Sequence, residues 1–411
     1  MNQNTQPVER VVGLDAHPDS FTAALIRGPI PAGAVVEKVY NQVPLGRLKS
    51  WAEKETKVQD LIVLEASGNS FYVVRTLAAI QRRALVLESC HLGKLKEAHA
   101  NNDRISAVRI GKAYLAGTAK TVWVPDRRTQ ERRDWFHAYR KAVKRTTQVR
   151  NRLRSYLSDQ GVRVPKAKLG ESVRTLHPWT TRQLQVISGL LLERRHAEEQ
   201  RAHWRSLMAQ EVIEDPVLLS LVRLCGIRDI VAFALGCLIG DIHRFDHPKK
   251  LVSYVGLQPA FDDSGTSQWQ GGLSGHGRCD LRALLIEAAQ SIMRSTSPLA
   301  KWGRRLMAKK GSPKLAVAAV ARKLTVSIWY LMMGRWSPLE EIDVHLTSKV
   351  VKIVGQISAR GLEDLGKSRK VLCLEVYERL KTGRKYTPTP PTNQPPPDPK
   401  KSTLLQEYGL G

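Results

Sequence analysis

Long apolar runs, paired cysteines and acidic residues are what this chain has least of. Its five cysteines, Cys90, Cys225, Cys237, Cys279 and Cys373, are scattered, with no pair at C-x-x-C spacing. That excludes a zinc ribbon and a disulfide framework, and isolated thiols fit a reducing cytoplasm. The most apolar stretch, residues 230–239, is about half of the ~20 residues that a bilayer crossing needs, so it reads as a buried helix and no membrane anchor is expected. Residues 1–10 lack an apolar core and predict no secretory leader. Acids are outnumbered: 38 Asp and Glu face 65 Lys and Arg, which leaves a net charge of +27 over 411 residues. A surface so unbalanced repels itself unless a polyanion covers it. Small neutral metabolites are therefore disfavoured as sole substrates, and nucleic acid is the expected partner.

The length exceeds one compact core, and the patterning changes along it. Residues 8–125 read as α/β. Strands are expected over Val8–Asp15, Phe21–Arg27, Ala34–Val43, Asp60–Glu65 and Ala84–Leu87, with helices over Leu45–Lys57 and Ser70–Arg82. Three strands, a helix, a strand and a helix, with acids at two strand ends, is the order of a ribonuclease H-like sheet. Residues 126–210 read as a basic helical or coiled-coil segment. Between Arg127 and Arg154 stand eleven cations, among them Arg140, Lys144 and Arg145, opposed only by Glu131 and Asp134, and there is no Gly or Pro. A second helical stretch over 180–210 makes an antiparallel arm or a dimerising coiled coil. Residues 211–335 are apolar and mainly α. Leu218–Ile227 followed by a helix to Ile239 has the outline of a helix-hairpin-helix, a device that offers backbone amides to phosphates, and equally of a plain helical hairpin. A helical extension is expected over 336–385. Residues 386–411 form a tail with seven prolines between 387 and 399, for which disorder is expected.

Three carboxylates are placed for chemistry. Asp15 and Glu65 end expected strands, and Asp103 opens an expected helix. Carboxylates that converge without a cationic partner repel unless a divalent metal neutralises them, and two Mg2+ ions about 4 Å apart would suit phosphodiester displacement. His17 and Asp19 follow Asp15; either could touch metal or substrate, and the favoured reading is a pair of solvent-facing loop residues. Serines stand beside glycine in a polar, glycine-rich patch over 262–277, at Ser264-Gly265 and Ser274-Gly275. A serine in a mobile loop can reach a bulky phosphodiester and conserve its bond energy in a phosphoserine link. No G-x-S-x-G elbow is present, so esterase-type hydrolysis has no support. Trp135, Phe136 and Tyr139, interleaved with the cations, could stack on unpaired bases, though their spacing also fits a packing stripe.

These pieces resemble one family. Val11-Val12-Gly13-Leu14-Asp15-Ala16-His17, Leu61-Ile62-Val63-Leu64-Glu65-Ala66-Ser67-Gly68 and Asn102-Asp103-Arg104-Ile105-Ser106-Ala107 are similar to the RuvC-like half of the insertion-sequence-110 family transposases, the bridge-RNA-guided recombinases. Gly240-Asp241-Ile242-His243-Arg244-Phe245, Tyr254-Val255-Gly256-Leu257-Gln258-Pro259, Ser264-Gly265 and Gly277-Arg278-Cys279-Asp280 are similar to its C-terminal serine transposase domain. The resemblance covers about residues 8–335. It implies Mg2+ held by Asp15, Glu65 and Asp103, with Ser264 as nucleophile and Ser274 as fallback. It also implies donor and target DNA, a structured non-coding guide RNA, and a homotetramer in which one subunit's serine meets another's metal. Arg140, Lys144, Arg145 and Arg278 are the expected nucleic-acid contacts, and the location is the prokaryotic cytoplasm, at the nucleoid. Where the family's fourth acid should stand, this chain has Ser106, a weaker and uncharged ligand. The alternatives are a RuvC-like endonuclease that uses water as nucleophile, or an inactive nucleic-acid-binding relic.

Overall fold

The computed structural model describes residues 9–28, 33–89, 102–165, 169–264, 267–274, 276–335 and 345–382. The proline-rich tail and Cys90 lie outside them. The chain divides into two compact units, residues 1–126 and 127–411.

The first unit is a six-stranded mixed sheet. Its strands are β1 (Arg10–Ala16), β2 (Ser20–Arg27), β3 (Val35–Pro44), β4 (Leu61–Glu65), β5 (Arg83–Leu87) and β6 (Thr121–Val122), in the spatial order β3-β2-β1-β4-β5-β6. β1, β4 and β5 run parallel, and the remaining pairs are antiparallel. The parallel strands are continuous apolar runs because both of their faces are covered. On one face Val12, Leu14, Ile62 and Leu64 pack against α1 (Leu48–Glu55) and α2 (Ser70–Ala78). On the other, Val11, Leu61 and Val63 meet Ile110 and Ala113 of α3 (Asp103–Leu115). The expected element order is present. α2 stops at Ala78, short of the expected Arg82, where Gln81 takes a positive φ of 57° and turns the chain into β5.

Among its described residues the second unit is helical apart from one hairpin. α4 (Arg127–Asp159) and α5 (Thr181–Glu214) are antiparallel, as expected. Arg128 and Arg132 at the start of α4 pair with Glu211 near the end of α5, and Arg152 near the other end pairs with Glu193. α5 opens with a capping box at Thr180 and Gln183. The seam of α4 buries Thr129, Arg133, Phe136, Tyr139, Ala142, Thr146, Val149, Leu153 and Leu157, at steps of three and four. The ends of α4 and α5 nearest residues 160–180 close over a small core of their own, which includes Leu153, Leu157, Trp179 and Leu191.

The opposite ends join the main core with α6 (Pro216–Leu221), α7 (Asp229–Ile239), α8 (Pro248–Val255), α9 (Cys279–Met293), α10 (Pro298–Lys310) and α11 (Pro313–Met332). α6, Gly226 and α7 are the two helices and turn read from the sequence. Gly226, at φ 79°, faces the Ala288 carbonyl of α9, so its Cα is packed against protein. α11 is long and apolar enough to cross a membrane by length and composition, which the sequence reading overlooked. Leu324, Ile328 and Trp329 are buried in this core, as in an internal helix of a globular unit. α12 (Leu346–Val354), α13 (Ala359–Asp364) and α14 (Arg369–Thr382) complete it, and buried Lys349 donates to the Val222 and Leu224 carbonyls. Cys225, Cys237, Cys279 and Cys373 are free thiols. Burial pushes the Cys237 thiol up to about 12, so it is an inert core group.

The polar patch expected as a loop is instead an antiparallel hairpin of β7 (Pro259–Ser264) and β8 (Ser267–Leu273). Ser264 pairs with Ser267 across the turn.

Candidate functional site

The candidate residues fall into two sets, one in each unit. In the first, Leu14 of β1 pairs in parallel with Leu64 of β4, so Asp15 and Glu65 are the next residues on adjacent strands. They alternate with Leu14 and Leu64 and therefore belong to the sheet face that α3 covers. Asn102 caps α3 by accepting from the Ile105 amide, which sets Asp103 in the first turn, where a carboxylate is favoured by the helix dipole. α3 lies close on β1 because both contact positions are glycine. A Cβ on Gly13 would stand on the Ala107 carbonyl oxygen and 2.8 Å from the Gly111 nitrogen.

This approach brings a carboxylate oxygen of Asp15, one of Asp103 and a ring nitrogen of His17 within 4.8 Å of one another. Glu65 is outside that group. Ser106 is buried and hydrogen-bonds Asp15, and its Oγ accepts from Arg109 Nη2 at 3.3 Å. His17 is partly exposed, as the sequence reading favoured, yet its ring also turns toward the two carboxylates. Its Nε2 lies 3.4 Å from Asp103 and 4.0 Å from Asp15. A residue one place past a strand can point either way, and the sequence holds no signal for which. Here the turn is held by the His17 amide donating to the Ser20 carbonyl, and by Asn69 Nδ2 donating to the His17 carbonyl at 2.6 Å. Asp19 takes part through its backbone, accepting from the Leu45 amide.

Asp15 has its pKa raised. Burial acts first, and with repulsion from Asp103 it outweighs the attraction of His17 and the help of Ser106 and Arg109. A raised native pKa favours the protonated fold, so stability is lost as pH climbs from the ordinary aspartate range through the raised value. Asp15→Asn is therefore expected to raise the melting temperature of the cation-free protein at pH 7 and to flatten its dependence on acidic pH. A fall on substitution, measured by calorimetry, would contradict this account.

In the second unit the conspicuous motifs frame the β7–β8 hairpin. Gly240 ends α7 at φ 65°. Arg244 then donates to the Ile239 carbonyl at 3.1 Å while its guanidinium lies over the rings of Phe245 and Tyr254, 4.3 and 4.5 Å from their centroids. Tyr254 donates its hydroxyl to Leu238, and Trp329 donates to the Phe245 carbonyl. The strands leave this frame through Gly256, at φ 76°, and return through Gly277. A Cβ on Gly277 would meet the Tyr254 carbonyl oxygen at 2.5 Å.

Residues 220–302, which hold every one of these motifs except Trp329, match the model of the Transposase IS116/IS110/IS902 family. The chain is also 24% identical over 235 residues to the y4qE protein of Sinorhizobium fredii, a transposase by name. It is 23% identical over 286 residues to the Coxiella burnetii transposase for insertion sequence element IS1111A, and 24% identical over 287 residues to a family 20 transposase, by name, of Pseudomonas aeruginosa. These matches take in 55%, 66% and 66% of this chain and 56%, 77% and 83% of the relatives, so the match spans little more than half of the Sinorhizobium protein.

Within the matched region Ser264 ends β7 at the hairpin turn, and its side chain lies outside the described residues. Ser274 follows β8, its amide donating to Gln258 and its Oγ buried without a hydrogen-bond partner. Arg278 is engaged inside the protein. Burial opposes its charge, but Asp280 and the Tyr254 hydroxyl outweigh burial and raise its pKa. On α4, Arg140 lies 3.8 Å from Asp280 and Arg145 3.6 Å from Glu193, while Lys144 is exposed. Not all of the eleven cations face outward, as their count alone suggested. Arg132 pairs with Glu211 and Asp215, and Arg133 is buried. Phe136 and Tyr139 are buried in the core and Trp135 stacks on Phe233 at 6.4 Å, so these aromatics form the packing stripe and base stacking is not their role.

Proposed function

We propose that this protein is a DNA transposase that cuts and rejoins strands by transesterification, with Ser264 as nucleophile. The observation that carries the reading is the convergence of Asp15, His17 and Asp103 in a chain that also holds the transposase domain. The first unit is read as RuvC-like, its sheet order and the two acids at neighbouring strand ends being the support. Two carboxylates and an imidazole nitrogen within 4.8 Å of one another fit a divalent cation. Asp15 and Asp103 would hold Mg2+, with Glu65 on the adjacent strand. Such an ion, when bound, stabilises charge developing on phosphodiester oxygens.

The serine step is balanced without a further reactant. The Ser264 Oγ–phosphorus bond forms as the phosphorus–sugar oxygen bond breaks, the serine proton is lost, and the departing sugar oxygen takes up a proton as a free hydroxyl. A sugar hydroxyl attacking the phosphoserine reverses the step and releases Ser264. Exposed Lys141, Lys144 and Arg154 offer α4 to phosphates, with Arg140 and Arg145 beside them. Such contacts read no sequence, which suits guidance by a structured RNA pairing with donor and target DNA. A homotetramer is the assembly proposed.

The test is trapping on nicked DNA with the element's RNA. A protein–DNA adduct is expected for the unaltered chain and for Ser274→Ala, and none for Ser264→Ala. Cleavage that persists in Ser264→Ala would transfer the role of nucleophile to water.

A further inference from the structure

We infer that His17 is a metal ligand through Nε2, and that this makes the centre one of mixed nitrogen and oxygen donors that favours Mn2+ over Mg2+. The inference rests on the reading of Asp15 and Asp103 as a metal centre. His17 Nε2 is shut off from solvent and has no hydrogen-bond partner, although much of the ring is exposed. Its nearest polar neighbours are the oxygens of Asp103 at 3.4 Å and Asp15 at 4.0 Å, so the three donor atoms converge as ligands of a shared cation do. The backbone that carries the ring is pinned at both the His17 amide and the His17 carbonyl.

The companion position explains why a nitrogen donor is needed here. Ser106 carries no charge, bonds Asp15, and has Arg109 on its Oγ. An oxygen ligand of full charge is thus lacking on that side of Asp15, and His17 supplies a donor from the opposite end of the sequence pattern. Imidazole binds first-row transition ions well, whereas Mg2+ keeps oxygen ligands and its own waters.

The experiment uses the full-length protein with MnCl2 or MgCl2 alone, titrated by calorimetry, together with pulsed electron paramagnetic resonance of bound Mn2+. Mn2+ is expected to bind more tightly than Mg2+ by about tenfold or more. A 14N coupling from imidazole should be present in the unaltered protein and absent in His17→Ala and His17→Gln. Both variants should lose about tenfold or more in Mn2+ affinity and change little toward Mg2+. Circular dichroism melts check that they fold, and the glutamine keeps a polar group in the turn. Mn2+ binding that Asp15→Asn abolishes, but that shows no 14N coupling and survives both His17 substitutions, would overturn this inference and leave the metal centre standing. If neither ion binds the unaltered protein, the metal centre falls and the inference with it.

Discussion

Gly13→Ala is expected to cost the first unit about 3 kcal/mol, the upper end for overpacking, because the added methyl meets backbone and not a movable side chain. The new Cβ would stand on the Ala107 carbonyl oxygen and crowd the Gly111 nitrogen, both fixed within α3. The clash is relieved only by moving α3 away from β1. Asp103 rides on α3 and Asp15 on β1, so the same movement opens the cluster. Divalent-cation affinity should therefore fall together with stability. Gly111→Ala is the control: its Cβ would clash with the tip of Ile26 alone, at 2.5 Å, and reach the Gly13 backbone at an ordinary 3.5 Å, so a side-chain rotation can absorb it at about 1 kcal/mol. Chemical denaturation separates the two variants. Equal midpoints would mean that the close approach of α3 to β1 is not what positions Asp103.

Arg133→Met should be the most damaging single change on α4, at about 2–4 kcal/mol, although it removes one positive charge from a strongly basic helix. Arg133 donates to the Cys237 carbonyl at 2.8 Å and to Leu238 at 3.3 Å. These are among the last carbonyls of α7, which have no partner inside the helix, and a cation there also complements the helix dipole. Burial holds its guanidinium below the ordinary pKa, with Arg278 adding repulsion, so the charge is kept there at a cost. Methionine fills the volume but leaves the Cys237 carbonyl bare, while Leu238 keeps the Tyr254 hydroxyl. Lys144→Met, on the same helix but exposed, should leave the melting temperature within a degree or two, as surface changes usually do. Thermal melts of the two variants decide the matter, and a small effect at Arg133 would refute the capping role.

The sheet was legible because its strands are short apolar runs separated by turn residues, and because acids closed β1 and β4. Asp15 and Asp103 were legible for the same reason, since a strand end and a capped helix start are local signals. The placing of His17 was less so, because its turn is held in part by Asn69, fifty-two residues away. The β7–β8 hairpin was hidden by polar content: Asp262, Asp263, Gln268 and Gln270 break the apolar alternation by which strands are recognised, and the Ser264-Gly265 pair was weighed as loop chemistry rather than as a turn. Charge counting on α4 could not tell Lys144 from Arg133, because a basic residue facing solvent and one facing buried carbonyls look alike in one dimension.

α4 is 33 residues long, about 50 Å, yet the remote third of its pairing with α5 is held by an apolar cluster that shares no member with the main core. Sequence drift at that extremity is insulated from the main core. Related chains can therefore remodel the far end of the pair like a replaceable head while the main core is inherited intact.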